Sequence, residues 1–271
     1  MIARPDDPTS ERDSPIPDQP TTVLVIPAFN EEGRLDLKAF DEFLSTTGDV
    51  EFQFVDDGST DATSRLLEGL RLRHPSRIRV DISKENEGKA AAVRRGVIAA
   101  LGRSPQFVGY WDADLSTPLA EVGPMSTLLH ERPTVDMVLG SRVRRLGSVV
   151  HRSAVKHYSG RLFATAASIS LGLPVYDTQC GAKLFRAQSM IARAFDEPFT
   201  TTWAFDVELL ARYVALAREY DLDPTERLYE YPLRTWIDRS GSKVRILDRP
   251  RALWEVIRVG IALRRRLRRS R

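Results

Sequence analysis

From Thr22 onward, short unbroken apolar runs alternate with longer stretches whose apolar residues recur at three- and four-residue spacing. The first pattern is that of strands buried on both faces, and the second that of helices with one buried side. Thr22–Ile26 predicts a first strand, stopped by Pro27, followed by helical spacing over 33–47. VEFQFVDDG (50–58) predicts a second strand, and STDATSRLLEGLRLR (59–73) a helix capped by Ser59 or Thr60. RIRVDIS (77–83) predicts a third strand and the alanine-rich 87–102 a helix. QFVGYWDAD (106–114) is a fourth, PLAEVGPMSTLLHE (118–131) a helix with Pro118 near its first turn, and TVDMVLGSR (134–142) a fifth strand. Beyond Val150 the pattern is less regular: a helix over 151–171, the segment DTQCGAKLF (177–185), a helix through WAFDVELLARYVALA (203–217), and strand-like LYEYPLRTW (228–236).

Five strands alternating with helices predict one α/β domain over 21–247 built on a mostly parallel sheet, Rossmann-like in its alternation. Such sheets bind ligands at the carboxyl ends of their strands. The polar clusters obey that rule: Asn30-Glu31-Glu32, Asp56-Asp57, Asp112 with Asp114, and Ser141-Arg142 each follow a predicted strand. They are expected to converge on one crevice.

Charge adds a second feature. The 271-residue chain carries net +3 with a pI of about 9.1, but Arg249–Arg271 holds nine arginines against one glutamate. That segment is +8 and the remainder therefore −5. Leu253, Trp254, Ile257, Ile261 and Leu267 fall at near-helical spacing there, so 248–271 predicts a basic amphipathic helix lying in a membrane surface. Its arginines have no interleaved aromatics beyond Trp254, so no nucleic acid partner is expected. No run of about 18 apolar residues predicts a spanning helix. Residues 1–20, rich in Pro, Asp and Ser and without an apolar h-region, predict a disordered arm rather than a signal peptide. The single Cys180 excludes an internal disulfide. Together these point to the cytoplasm, with the protein peripheral on a membrane face.

Two common phosphate-binding readings fail. No G-x-G-x-x-G follows the first strand. Gly88-Lys89 invites a P-loop, but Ser83 stands where its first glycine belongs and Ala90 replaces the Ser/Thr. Lys89 at a helix start remains a phosphate candidate or a solvated lysine. The pair Asp112 and Asp114, one residue apart at a strand end, suits a hard divalent cation, Mg²⁺ or Mn²⁺, or else is a solvated turn.

The order VIPAFNEEGRL, FVDDGSTDAT, ENEGKAAAVRRG, YWDADLSTP and GSR resembles the inverting family 2 glycosyltransferases of GT-A fold, over about residues 22–246. DTQCGAKLF, TTWAFDVELL and the later Trp236…GSK run resemble the dolichyl-phosphate glucosyltransferase branch, near the polyprenyl-phosphate mannosyltransferases. The resemblance implies that Pro27, Phe29, Glu31, Asp57, Gly88, Lys89 and Asp112 hold a nucleotide-sugar donor. Asp112 and Asp114 hold its metal, and Ser116 stands where mannosyl relatives carry a glutamine ligand. Ser141, Arg142, Arg152, Gln179, Lys183, Ser242 and Lys243 are expected on the acceptor, a polyprenyl phosphate. Asp112, Asp114, Arg142, Asp206 and Glu208 take the catalytic roles, the last two as bases if the acceptor is a hydroxyl. The expected reaction moves glucose from UDP-glucose to the lipid phosphate with inversion. GDP-mannose or another donor, a soluble acceptor, and a nucleotide-sugar-binding protein without turnover stay open.

Overall fold

A computed structural model describes residues 21–151, 154–239 and 249–269; the N-terminal arm, Arg152, Ser242 and Lys243 lie outside them. In chain order the elements begin β1 (Thr22–Ala28), α1 (Leu37–Thr46), β2 (Val50–Asp56), α2 (Thr63–Arg73), β3 (Ile78–Ile82), α3 (Lys89–Leu101), β4 (Phe107–Trp111), α4 (Val122–Glu131) and β5 (Met137–Ser141). There follow β6 (Val149–His151), α5 (Ala154–Leu171), β7 (Ala182–Arg186), α6 (Ser189–Asp196), α7 (Phe205–Glu219), α8 (Pro224–Arg227), β8 (Leu228–Pro232), β9 (Thr235–Ile237) and α9 (Arg249–Arg269).

Seven strands form one sheet in the order β3-β2-β1-β4-β7-β5-β8, and β6 pairs with β9 in a small second sheet. All the main-sheet strands run parallel except β7, which is antiparallel to β4 and β5. The strand order reverses direction between β1 and β4, and that switch point opens the crevice at their carboxyl ends. The alternation of β1 explains the two cores. Val23 and Val25 face a cluster shared with α3, α6, α7 and α9, while Leu24 and Ile26 face one shared with α1, α2 and α4. On the second face Phe40 of α1 meets Phe52 and Phe54 of β2 edge-on, each at 5.1 Å. Helix α3 presses so close on the first face that a Cβ at Gly96 would lie 2.4 Å from Val25 Cγ1.

Several boundaries differ from the sequence expectation for identifiable reasons. Strand β1 continues through Pro27 because pairing with β4 ends at Val25–Tyr110. Ala28 O accepts from Asp57 N on the β2 side, so the missing Pro27 N–H faces the side where no ladder bond is due. Helix α2 starts at Thr63 behind Ala62 with no side-chain cap. The expected caps are used elsewhere: Ser59 Oγ accepts from Asn30 N and Thr60 N donates to Asn30 Oδ1, tying the β1–α1 loop down. A 3₁₀ turn, Leu119–Glu121, separates Pro118 from α4. DTQCGAKLF contains the antiparallel β7, whose register against β4 the apolar pattern does not reveal.

The C-terminal segment is a helix, but not one lying free on its apolar side. Val256, Val259 and Leu263 of α9 are buried against the domain, and Trp254, Ile257 and Ile261 are exposed. The expected single apolar face is two faces.

Strand β7 also carries a charge into the core. The Lys183 side chain is fully buried; its Nζ lies 2.7 Å from Asp206 Oδ1 of α7 and donates to Cys180 O at 2.6 Å. Tyr110 of β4 donates to the same Asp206 oxygen, and Lys183 Nζ stands 5.1 Å over the Tyr110 ring. Removing one partner strands the other charge in the core. Asp206→Ala is expected to lower unfolding free energy by about 3–5 kcal/mol in urea melts, with most of the loss recovered in Lys183→Met/Asp206→Leu. A single-variant loss below about 1 kcal/mol would show that water reaches the ammonium.

Candidate active site

One cluster of polar side chains is built at the ends of β1, β2 and β4. Asn30, at φ 50°, turns the chain after β1. Glu31 follows, buried, with its N–H on Thr63 Oγ1 at 2.8 Å. Its carboxylate grips Arg34 through two bonds, Nε–Oε2 2.8 Å and Nη2–Oε1 2.5 Å. Arg34 Nη1 then stands 3.7 Å from Asp114 Oδ2. Arg34 was not singled out from the sequence; its signal is the spacing from Glu31, which suits a local ion pair. Pro27 and Phe29 are half-buried at the same edge.

Asp57, at the end of β2, is buried and accepts from Glu87 N at 3.1 Å and Gly88 N at 2.7 Å. It thereby fixes the start of α3. Gly58 at φ 74° permits this, since a Cβ there would sit 2.6 Å from the Glu85 carbonyl carbon. Gly88 precedes the first residue of α3, Lys89, whose Nζ reaches Asp112 Oδ1 at 2.5 Å. Partial burial disfavours the Lys89 charge, but Asp112, Asp206 and Asp114 outweigh it and hold the ammonium above its usual range.

Asp112 and Asp114 leave β4 in a tight turn. Leu115 N returns to Asp112 O at 3.1 Å, and Leu115 adopts φ 50° with its side chain buried. Asp114 Oδ1 accepts from Ser116 N at 3.0 Å, and Trp111 Nε1 donates to Thr117 O at 2.7 Å. Asp112 is seated against the 177–181 turn, with its N–H on Gly181 O at 2.9 Å. A Cβ on Gly181 would fall 1.8 Å from Asp112 Oδ2, so only glycine leaves room for this carboxylate.

A second cluster gathers on the same turn. Arg142, just past β5, is held by Asp177 through N at 3.0 Å, Nε at 2.7 Å and Nη2 at 2.8 Å, and stacks 5.5 Å from the Trp236 ring. Burial opposes its charge and Asp177 more than compensates, so the guanidinium stays ionised. Glu230 of β8 fixes Asp177 in turn, accepting from Tyr176 N and Asp177 N at 2.7 Å each. Ser141 is buried beside Arg142, and Gln179 has a buried Nε2 with no hydrogen bond among the described residues. Burial pushes the Cys180 thiol up to about 11, leaving it protonated and inert.

Three expected site residues have their polar atoms taken up by protein partners. Lys183, expected on the acceptor, is buried with its ammonium bound inside the core by Asp206 and Cys180 O. Asp206 is committed to Lys183 and Tyr110 rather than free as a base. Glu208 turns toward the loop before α7, accepting from Thr200 N, Thr201 N and both hydroxyls, and pairs with Arg212 at 2.8 Å. Asp177, Gly181 and Glu230 were missed, since their roles arise only once β7 is inserted between β4 and β5.

Among the described residues no three His, Cys, Asp or Glu side chains form a metal cluster. Asp112 and Asp114 supply two hard oxygens, now balanced by Lys89 and Arg34. That donor set fits a divalent cation that completes its shell with water and diphosphate oxygens, as Mg²⁺ and Mn²⁺ do.

A parallel sheet with one antiparallel strand and carboxylates at its switch point defines a GT-A fold. The family model for glycosyl transferase family 2 matches residues 23–192, and the chain belongs to that family. It is a glycosyltransferase. The dolichyl-phosphate beta-glucosyltransferase of Dictyostelium discoideum is 32% identical over 237 residues, covering 82% of this chain and 68% of that protein. The enzyme of the same name from Homo sapiens is 32% identical over 248 residues, covering 84% and 71%. Among solved structures, Mycobacterium tuberculosis glucosyl-3-phosphoglycerate synthase with UDP superposes at TM-score 0.61 and 19% identity, over 90% of this chain and 80% of that one. The same enzyme with Mn²⁺, UDP-glucose and phosphoglyceric acid superposes at 0.59.

Gly181→Ala is expected to displace the Asp112 carboxylate. Donor turnover should fall by about 10²-fold while the thermal midpoint drops only a few degrees. Wild-type turnover in this variant would mean that Asp112 is not held where the site needs it.

Proposed function

We propose that the protein transfers glucose from UDP-glucose to the phosphate of a polyprenyl or dolichyl phosphate, with a divalent metal and inversion at the anomeric carbon. The observation that carries this reading is the state of the two carboxylates expected to serve as bases. Asp206 is bound by Lys183 and Tyr110, and Glu208 by the 200–201 loop and Arg212. A hydroxyl acceptor needs a base; a phosphate is already ionised at neutral pH and does not. The names of the curated relatives support the same acceptor.

One acceptor phosphate oxygen attacks the anomeric carbon in line, forming the new C–O bond as the bond to the UDP oxygen breaks. UDP leaves with that electron pair. Arg142 is fixed by Asp177 on one edge, and its Nη1 makes no hydrogen bond among the described residues. That edge is available to an acceptor phosphate oxygen. Lys89 is placed to meet the departing diphosphate. Asp112 and Asp114 would hold a divalent cation, which would supply charge neutralisation on that leaving group. Asp57, Glu31, Pro27 and Phe29 border the donor nucleotide in this reading. Among the described residues no helix is long and apolar enough to cross a membrane. A lipid acceptor places the reaction at a membrane surface, on its cytoplasmic face in this reading.

The test is transfer of label from UDP-glucose into a detergent-dispersed polyprenyl phosphate with Mg²⁺ or Mn²⁺. Label is expected in the organic phase, abolished by chelation and reduced by at least about 10²-fold in Asp114→Asn. UDP binding without transfer to lipid, or faster transfer from GDP-mannose or to phosphoglycerate, would overturn the assignment.

A further inference from the structure

Helix α9 has more apolar surface than its packing consumes. Val256, Val259 and Leu263 face the core. Gly260 lies so close to α5 that a Cβ would be 2.7 Å from Ser170 Cβ. Yet Trp254, Ile257 and Ile261, spaced along one helical edge, are 59, 49 and 44% exposed. Helix α5 presents a matching edge, with Leu162 and Ile169 each 66% exposed. Arg264 Nη2 reaches Ile169 O at 3.3 Å, so the two edges adjoin. Five large apolar side chains on two neighbouring helices form a patch that folding leaves uncovered.

The charges around the patch have one sign. Arg258 lies 5.1 Å over the Trp254 ring, and Arg264, Arg265 and Arg268 are exposed along the same helix. Arg266 pairs instead with Glu219 of α7 at 3.5 Å, away from the Trp254 edge. Helices α5 and α9 contain one carboxylate between them, Glu255, and it is buried. Its Oε2 accepts from Thr202 N, Trp203 N and Ala204 N at 3.2, 2.9 and 3.0 Å. No acid of either helix therefore dilutes the positive edge.

We propose that the α5–α9 edge is a docking surface for an anionic lipid bilayer. Trp254, Ile257, Ile261, Leu162 and Ile169 enter the interfacial layer, and the arginines meet lipid phosphates. The inference deepens the lipid-acceptor reading by naming how the protein reaches its membrane. It also ties docking to the site mechanically. Glu255 anchors the docked helix to residues 202–204, directly before Phe205 and Asp206, and Phe205 lies 5.9 Å from Lys89 Nζ. The docked helix and the donor side thus share one support.

The experiment is flotation of the full chain with vesicles free of polyprenyl phosphate. One set is phosphatidylcholine; in the other about a third of the lipid is phosphatidylglycerol. The chain is expected to float with the anionic vesicles only, less so as salt rises. Trp254→Ser/Ile261→Asn and Arg264→Ser/Arg265→Ser should each lower the bound fraction about tenfold or more, with unchanged thermal midpoints. Leu72→Ser, on the exposed side of α2, should change nothing. Absence of wild-type flotation, equal flotation of the Trp254→Ser/Ile261→Asn variant, or a wild-type dimer that this variant dissociates would overturn the proposal. Activity on detergent-dispersed acceptor is read separately, so loss of docking and loss of the transfer reading give different results.

Discussion

An ammonium group inside a β-strand must be neutralised where it stands, and the Lys183–Asp206 pair is the constraint on which the site rests. Lys183 belongs to β7, the one antiparallel strand of the main sheet, and Asp206 to the first turn of α7. Their contact locks β7 between β4 and β5 and pins the start of α7 to the sheet. Burial and Asp206 together push the Tyr110 phenol well above its usual range, so it remains a donor to that carboxylate. Lys183 also holds Cys180 O, which fixes the turn from Asp177 to Gly181.

That turn holds two groups of opposite charge. Its Asp177 end aligns a guanidinium and its Gly181 end seats a carboxylate. A guanidinium just past β5 and a carboxylate just past β4 are thereby both fixed by one short segment. Preorganisation of this sort matters because reorienting charged groups during reaction is costly. Asp57, Glu31 and Glu230 follow the same logic: each orders backbone N–H groups or an arginine, so much of the acidic chemistry around the crevice holds geometry.

The C-terminal helix extends this framework outward. Glu255, alone among arginines, lies buried and orders the backbone before α7. The helix therefore has an inward face that completes the domain and an outward edge rich in Trp, Ile and Arg. Glu208 meets the same loop from α7, so residues 200–204 are held by carboxylates of two helices.

By itself the sequence determined the alternation of β1 to β5 with their helices, the polar clusters at strand ends, and the resemblance that the family match bears out. These are local properties: side-chain period, turn residues and short motifs are written in neighbouring positions. Residue type also pointed to Asp112, Asp114 and Lys89, which the fold brings together. Only the tertiary structure decided that Lys183 and Asp206 are a buried pair and that Gly181 makes room for Asp112. It likewise decided that Asp177 grips Arg142, and that the apolar residues of α9 divide between core and surface. Each of these depends on which distant element arrives beside a residue. A buried lysine and a solvated one have the same local sequence signature until the strand carrying them is placed in its sheet.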